Sequence, residues 1–277
     1  MFVIRAPDHL GDGVMALPAI RALAALGPAR VHAPGWGPAL YAGLDVRPRD
    51  EPPVGEVAVL LKPSFGAAWR WRHLPRRVGL ATAGRGPLLT DPLPVREEHR
   101  RDGYARVAAA LGGTATGVPV YTPRGTAPAL PEGYVGLNPW SPTAAVRWPH
   151  FRALADRLVE RGVPVIFFAG PGEEAHVAAI AGPHRVVAGL PLADFAAALD
   201  RCRRFVSNDS GAAHFAAACG AATVVVHGST TASRTGVGTA VEGPDRWCRP
   251  CYRKSCPFFL GCLTAIPLAR VLDAVSA

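Results

Sequence analysis

The sequence predicts an α/β protein of two Rossmann-like domains, residues 1–127 and 128–277, with parallel sheets facing across a cleft. Three observations carry that prediction. Apolar runs of strand length alternate with helical runs, the alternation restarts in the second half, and a proline-rich stretch separates the two arrays. A chain of 277 residues is comfortable for two domains, and 49% hydrophobic against 18% charged residues gives each a packed core.

In the first array Phe2–Ala6 reads as a strand, and Gly11-Asp12-Gly13 as a turn into an apolar helical run ending near Leu26. Val31–Ala33 is a second short strand. Val57–Leu61 is a third, continuously apolar as in a sheet covered on both faces. Val118–Gly133, with Pro119, Pro123, Pro128 and Pro131, is the expected linker. In the second array Tyr134–Asn138 is a strand, and Pro149–Arg161 a helix with proline in its first turn. Val163–Ala169 is a strand from which Gly170-Pro171-Gly172 leads into another helix. Arg204–Ser207 passes through Asn208-Asp209-Ser210-Gly211 into a helix over Ala212–Cys219, and Ala222–His227 closes the series as a strand.

No run approaches the roughly 18 apolar residues of a membrane-spanning helix, and the first residues read as a strand, not a signal peptide. The expected location is therefore cytoplasmic, with reduced thiols. The formal net charge is +9, and Lys62–Arg106 alone carries ten basic residues against four acidic ones. Such a surplus points to an anionic partner: a phosphorylated glycolipid, a nucleic acid or an acidic membrane surface. Only two of the 30 basic residues are lysine, so an arginine-rich composition accounts for part of it. With no nucleic-acid-reading motif in the chain, the glycolipid is preferred.

Five segments carry candidate chemistry. In Ser207–His214 a strand ends and a helix begins, so free first-turn N–H groups with partial positive charge are available to an anion. His214 shares a helix face with Ser210, four residues earlier. The same pattern also describes an ordinary capped helix with a core histidine. Asp12, after the first strand, is placed either as a general base or as a helix cap. Asn138–Pro149 is a small-residue loop in which Arg147 offers charge to a diphosphate, and the same arginine also fits a plain surface position. Glu173 and Glu174 follow the Gly170–Gly172 loop, where an acid binds ribose hydroxyls or complements a helix dipole. Cys248, Cys251, Cys256 and Cys262 lie within fifteen positions, a spacing open to structural zinc or an iron–sulfur cluster but not that of a common ribbon or ferredoxin.

Taken in order these segments resemble glycosyltransferase family 9, the ADP-heptose–lipopolysaccharide heptosyltransferases. The resemblance spans nearly the whole chain. It rests on Gly11-Asp12 with Leu17-Pro18 and Arg21-Ala22-Leu23, on Lys62-Pro63-Ser64-Phe65, and on Arg76-Arg77-Val78-Gly79. Arg147-Trp148-Pro149 and Gly228-Ser229-Thr230 also match, and the Asn208-Asp209-Ser210-Gly211-x-x-His214 motif is the most diagnostic. The resemblance implies a GT-B fold and inverting, metal-independent transfer from an ADP-sugar to a glycolipid hydroxyl, with no cofactor required. By motif Asp12 is the general base. Arg147, Glu174, Asp209, Ser210, Gly211 and His214 serve the donor, and Lys62, Ser64 and Arg76 the acceptor, an anionic glycolipid at the inner membrane surface where the enzyme attaches peripherally. The pattern departs at Val146, where the family carries a lysine. Two alternatives remain: a family 9 enzyme using another nucleotide sugar and a different acceptor, and a four-cysteine metal-binding or nucleic-acid-binding protein.

Overall fold

The computed structural model describes all 277 residues, which divide into two compact units, Met1–Tyr121 and Thr122–Ala277. The division falls within the proline-rich stretch. Each unit is a six-stranded, fully parallel sheet with helices between its strands.

The N-terminal sheet has the order β3-β2-β1-β4-β5-β6. Its strands are β1 (Phe2–Arg5), β2 (Ala29–Ala33), β3 (Asp45–Pro48), β4 (Val57–Leu60), β5 (Arg76–Leu80) and β6 (Asp91–Leu93). Its helices are α1 (Leu10–Ala25), α2 (Gly37–Leu40), α3 (Phe65–Arg70) and α4 (Arg100–Ala109). Val3, Ala58 and Leu60 pack with Trp71, Leu74 and Leu89 into a buried cluster.

One expectation is corrected here. Gly11-Asp12-Gly13 is not a turn, because α1 already begins at Leu10 and Asp12 sits in its first turn. Gly13 serves close packing: the Trp36 ring occupies the space a Cβ would need. The Tyr41 hydroxyl donates to its carbonyl at 3.2 Å.

The C-terminal sheet repeats the design in the order β12-β11-β10-β7-β8-β9. Its strands are β7 (Tyr134–Asn138), β8 (Val165–Ala169), β9 (Val186–Ala188), β10 (Cys202–Asn208), β11 (Thr223–His227) and β12 (Thr239–Glu242). Its helices are α5 (Phe151–Glu160), α6 (Glu174–Ala181), α7 (Leu192–Leu199), α8 (Gly211–Ala218), α9 (Ala232–Thr235), α10 (Gly261–Thr264) and α11 (Leu268–Ser276). Both faces of the sheet are covered, so β7, β8 and β11 are buried along their whole length. Leu137, Phe167, Val206 and Val226 pack with Phe151, Leu154 and Leu158 of α5 and with Val271 and Leu272 of α11.

Gly228, just past β11, leaves room for the buried Leu263 side chain. Gly228→Ala is therefore expected to overpack this site and cost about 1–3 kcal/mol. Thermal unfolding would register the change as a lowered midpoint, and an unchanged midpoint would show that α10 moves freely.

Candidate active site

In an open parallel sheet the crevice at the carboxyl ends of the strands, where strand order reverses, is where ligands bind. In the C-terminal unit that point lies between β7 and β10, and two buried asparagines fix the loops leaving it. Asn138 donates to the Phe168 carbonyl at 3.0 Å. Asn208 donates to the Pro139 carbonyl at 2.7 Å and accepts from the Trp148 N–H at 2.9 Å.

Ser210 occupies the N-cap position of α8, yet no side chain caps the helix. Its hydroxyl turns instead to Ser207 Oγ at 2.9 Å, within 3.5 Å of Asn138 Oδ1. The first-turn N–H groups of Gly211, Ala212 and Ala213 have no intrahelical acceptor and are left to a ligand or water. An ordinary capped helix is thereby excluded.

Behind this helix start lies a buried polar cluster. The Asp209 carboxylate, 8% exposed, has His214 Nε2 at 3.6 Å and His227 Nδ1 at 3.7 Å. It accepts from the Thr235 hydroxyl at 2.8 Å. Burial pushes its pKa up. The His214 hydrogen bond, the two imidazoles and Thr230 outweigh that and hold the pKa at about 2. The Asp209 carboxylate is thus held between His214, His227 and Thr235. His214 Nδ1 and His227 Nε2 are buried without a partner.

A carboxyl with a depressed folded pKa stabilises above its unfolded value of about 4 and loses that contribution as pH falls through about 2. The stake is about 2 kcal/mol. Asp209→Asn should cost that much at neutral pH, and the gap to the parent should close below pH 4 in denaturant titrations. A gap independent of pH would remove the carboxylate from the account.

Arg147 is held by its own loop. Its Nε donates to the Ser141 carbonyl at 2.5 Å, and its guanidinium lies 3.4 Å from the centre of the Trp140 ring. His176 stacks on Trp140 at 3.9 Å and 9° between planes. Arg147 is therefore a fixed cation in a three-layer stack, not a mobile surface residue. Val146, in the position before it, is buried and apolar. Glu173 accepts from the Gly170 N–H at 3.0 Å and Glu174 from the Gly172 N–H at 3.2 Å. Both acids brace the loop after β8, with Glu174 in the first turn of α6.

The crevice of the N-terminal unit lies between β1 and β4. Asp12, its side chain 13% exposed, pairs with Arg100 of α4 at 2.7 Å and accepts from the buried Tyr104 hydroxyl, whose pKa is driven up by burial and by this carboxylate. A pocket further along α1 and α4 is lined by Met15, Ala19, Arg101 and Ala105. Met15 and Ala19 continue the α1 face that carries Asp12.

Lys62 pairs with Asp8, which also holds Arg5 at 2.6 Å. Ser64 caps α3, accepting from the Ala67 N–H at 3.1 Å. Arg76 is not brought to this group: it starts β5 in register with Val57, at the far end of the sheet, paired to Asp91 at 2.9 Å. Asp8, Arg100, Tyr104 and His227 were not singled out from sequence. Arg100 and Tyr104 lie in the His99–Tyr104 stretch that also resembles the family, but their pairing with Asp12 is long-range and no spacing rule shows it.

The zinc or iron–sulfur expectation finds no support in the side-chain geometry. All six cysteines are free thiols, and no three His, Cys, Asp or Glu side chains gather into a group able to hold a metal ion. Cys248, Cys251 and Cys256 come near enough to Cys262 to raise its thiol pKa, after burial as the main cause. Cys262, however, turns into the core with Leu263 while the other three stay half-exposed.

Residues 105–259 match the family model for glycosyltransferase family 9 (heptosyltransferase). No curated relative matches in sequence. Three solved structures are similar over 99% of the chain. ADP-heptose lps heptosyltransferase II of E. coli has 21% identity and a TM-score of 0.73 over 97% of its chain. A family 9 glycosyl transferase from Veillonella parvula has 19% and 0.76 over 96%. E. coli heptosyltransferase WaaC, solved with ADP-2-deoxy-2-fluoro heptose, has 15% and 0.72 over 98%. At these identities the likeness establishes the fold.

Proposed function

The chain belongs to glycosyltransferase family 9, and from that premise we propose that it moves a heptose or similar sugar from an ADP-sugar to a hydroxyl of an anionic glycolipid. The observation that carries this reading is the start of α8, stripped of its side-chain cap and backed by a buried histidine. A diphosphate has the charge and the oxygens such a site lacks.

In the proposed reaction the acceptor O–H gives its proton to Asp12 and its oxygen bonds to the anomeric carbon from the face opposite the leaving group. The bond from that carbon to the diphosphate oxygen breaks, its electron pair leaving with ADP, so the centre inverts. Gly211, Ala212 and Ala213 N–H groups, Ser210, His214 and Arg147 stabilise the charge that grows on the diphosphate. Glu174 is assigned to the ribose hydroxyls, with Asp209 positioning His214. On the acceptor side Lys62 and Ser64 stand at the sheet crest, and Arg76 supplies only distant charge. The acceptor is taken to reside at the inner membrane surface.

Calorimetry with ADP-heptose, ADP, UDP and GDP tests the donor. ADP and ADP-heptose are expected to bind at least about tenfold more tightly than UDP or GDP. The buried Val146, which leaves Arg147 as the loop's cation, favours as second reading a family 9 enzyme with another nucleotide sugar. Preference for UDP or GDP would select it.

A further inference from the structure

The segment Arg246–Leu260 is used by none of the chemistry above, yet its surface is unusual. Trp247 is 86% and Phe259 92% exposed, with Phe258 and Tyr252 also outside. Trp247 and Phe258 meet edge to face at 5.1 Å, and Phe259 follows Phe258 directly in the chain. Tyr252, Phe259 and Leu260 have φ of 51°, 53° and 55°, a region bulky residues rarely enter. Three of the chain's four non-glycine residues with positive φ thus lie in this loop, and backbone strain of this kind gathers where it serves a function.

The charge is equally one-sided. Arg246, Arg253 and Lys254 are exposed and form no ion pair, Arg249 is spent on Glu242 at 2.9 Å and on the flanking Asp245 at 3.7 Å, and the segment itself holds no acid. We infer that this loop docks the enzyme on an anionic lipid bilayer, with Trp247, Phe258 and Phe259 entering the interfacial layer and Arg246, Arg253 and Lys254 against the headgroups.

The occupant follows from two features. Aromatic side chains as exposed as Trp247 and Phe259 suit a fluid layer that closes about them. A second copy meeting the same patch would set like charges against one another, whereas a surface of anionic headgroups complements them. The inference rests on the proposed function only in taking the acceptor to be membrane-borne.

The test is sedimentation of the full chain with vesicles of phosphatidylcholine alone and of phosphatidylcholine with about one-third phosphatidylglycerol, without donor or acceptor. Binding is expected to the anionic vesicles and to weaken with salt. Trp247→Ser with Phe259→Ser should reduce it at least about tenfold, and each of Arg246→Gln and Lys254→Gln about fivefold. All these positions are exposed, so thermal midpoints and ADP affinity should be unchanged. No binding by the parent, or equal binding by the double variant, overturns the inference. So does a parent that self-associates through this patch in light scattering and leaves the vesicles alone. Failure of ADP to bind would instead strike the donor reading and leave this one standing.

Discussion

Asp12→Asn is expected to lower turnover by about 10²–10⁴, the usual cost of losing a general base, while ADP affinity stays the same. Asparagine keeps the shape of the side chain and its contact with Tyr104 but cannot take the acceptor proton. Because Asp12 is mostly buried and paired to Arg100, the change also removes that ion pair. The stability of the variant therefore has to be measured beside its rate. Single-turnover measurements with the ADP-sugar preloaded isolate the chemical step. Turnover within a few-fold of the parent would remove Asp12 from the role.

The second large effect is predicted with opposite signs on stability and on binding. Ser210→Asp places a carboxylate at the N-cap of α8, where the native serine turns to Ser207 and leaves the helix start uncapped. A good cap and a favourable dipole interaction are worth about 0.5–1 kcal/mol, so the thermal midpoint should hold or rise. The same carboxylate would occupy the N–H groups proposed for the diphosphate and repel it. One charge pair at about 4 Å and an effective dielectric near 20 is worth about 4 kcal/mol. Allowing for relaxation, ADP binding should weaken at least about 10²-fold. Calorimetry beside a melting curve reads both. Undiminished ADP affinity in a more stable variant would place the diphosphate elsewhere.

The parts of the fold legible in sequence were those set by local pattern. The strands β1, β4, β7, β8 and β11 are largely apolar runs that stand out, because a strand buried on both faces has to be mostly apolar, and β10 was read from Phe205-Val206 and the motif that follows it. Strands at the sheet edges were not legible. Asp45–Pro48, Asp91–Leu93 and Thr239–Glu242 are short and carry charge or proline, and their conformation comes from hydrogen bonding to a neighbour already in place. The start of α1 at Leu10 went the same way, since two glycines in a first turn read as a break until Trp36 is seen to need the space.

By itself the sequence determined the two parallel arrays and the family, and it marked the helix start proposed to meet the donor's charge. Those depend on periodicity and on residues adjacent in the chain. Only the tertiary structure decided that Ser210 does not cap, that Asp209 meets His214 and His227, that Arg76 starts its strand at the end of the sheet away from Asp12, and that the cysteines form no metal-holding group. Hydrogen bonds and ion pairs form over a few ångströms, between groups that chain position alone does not bring together.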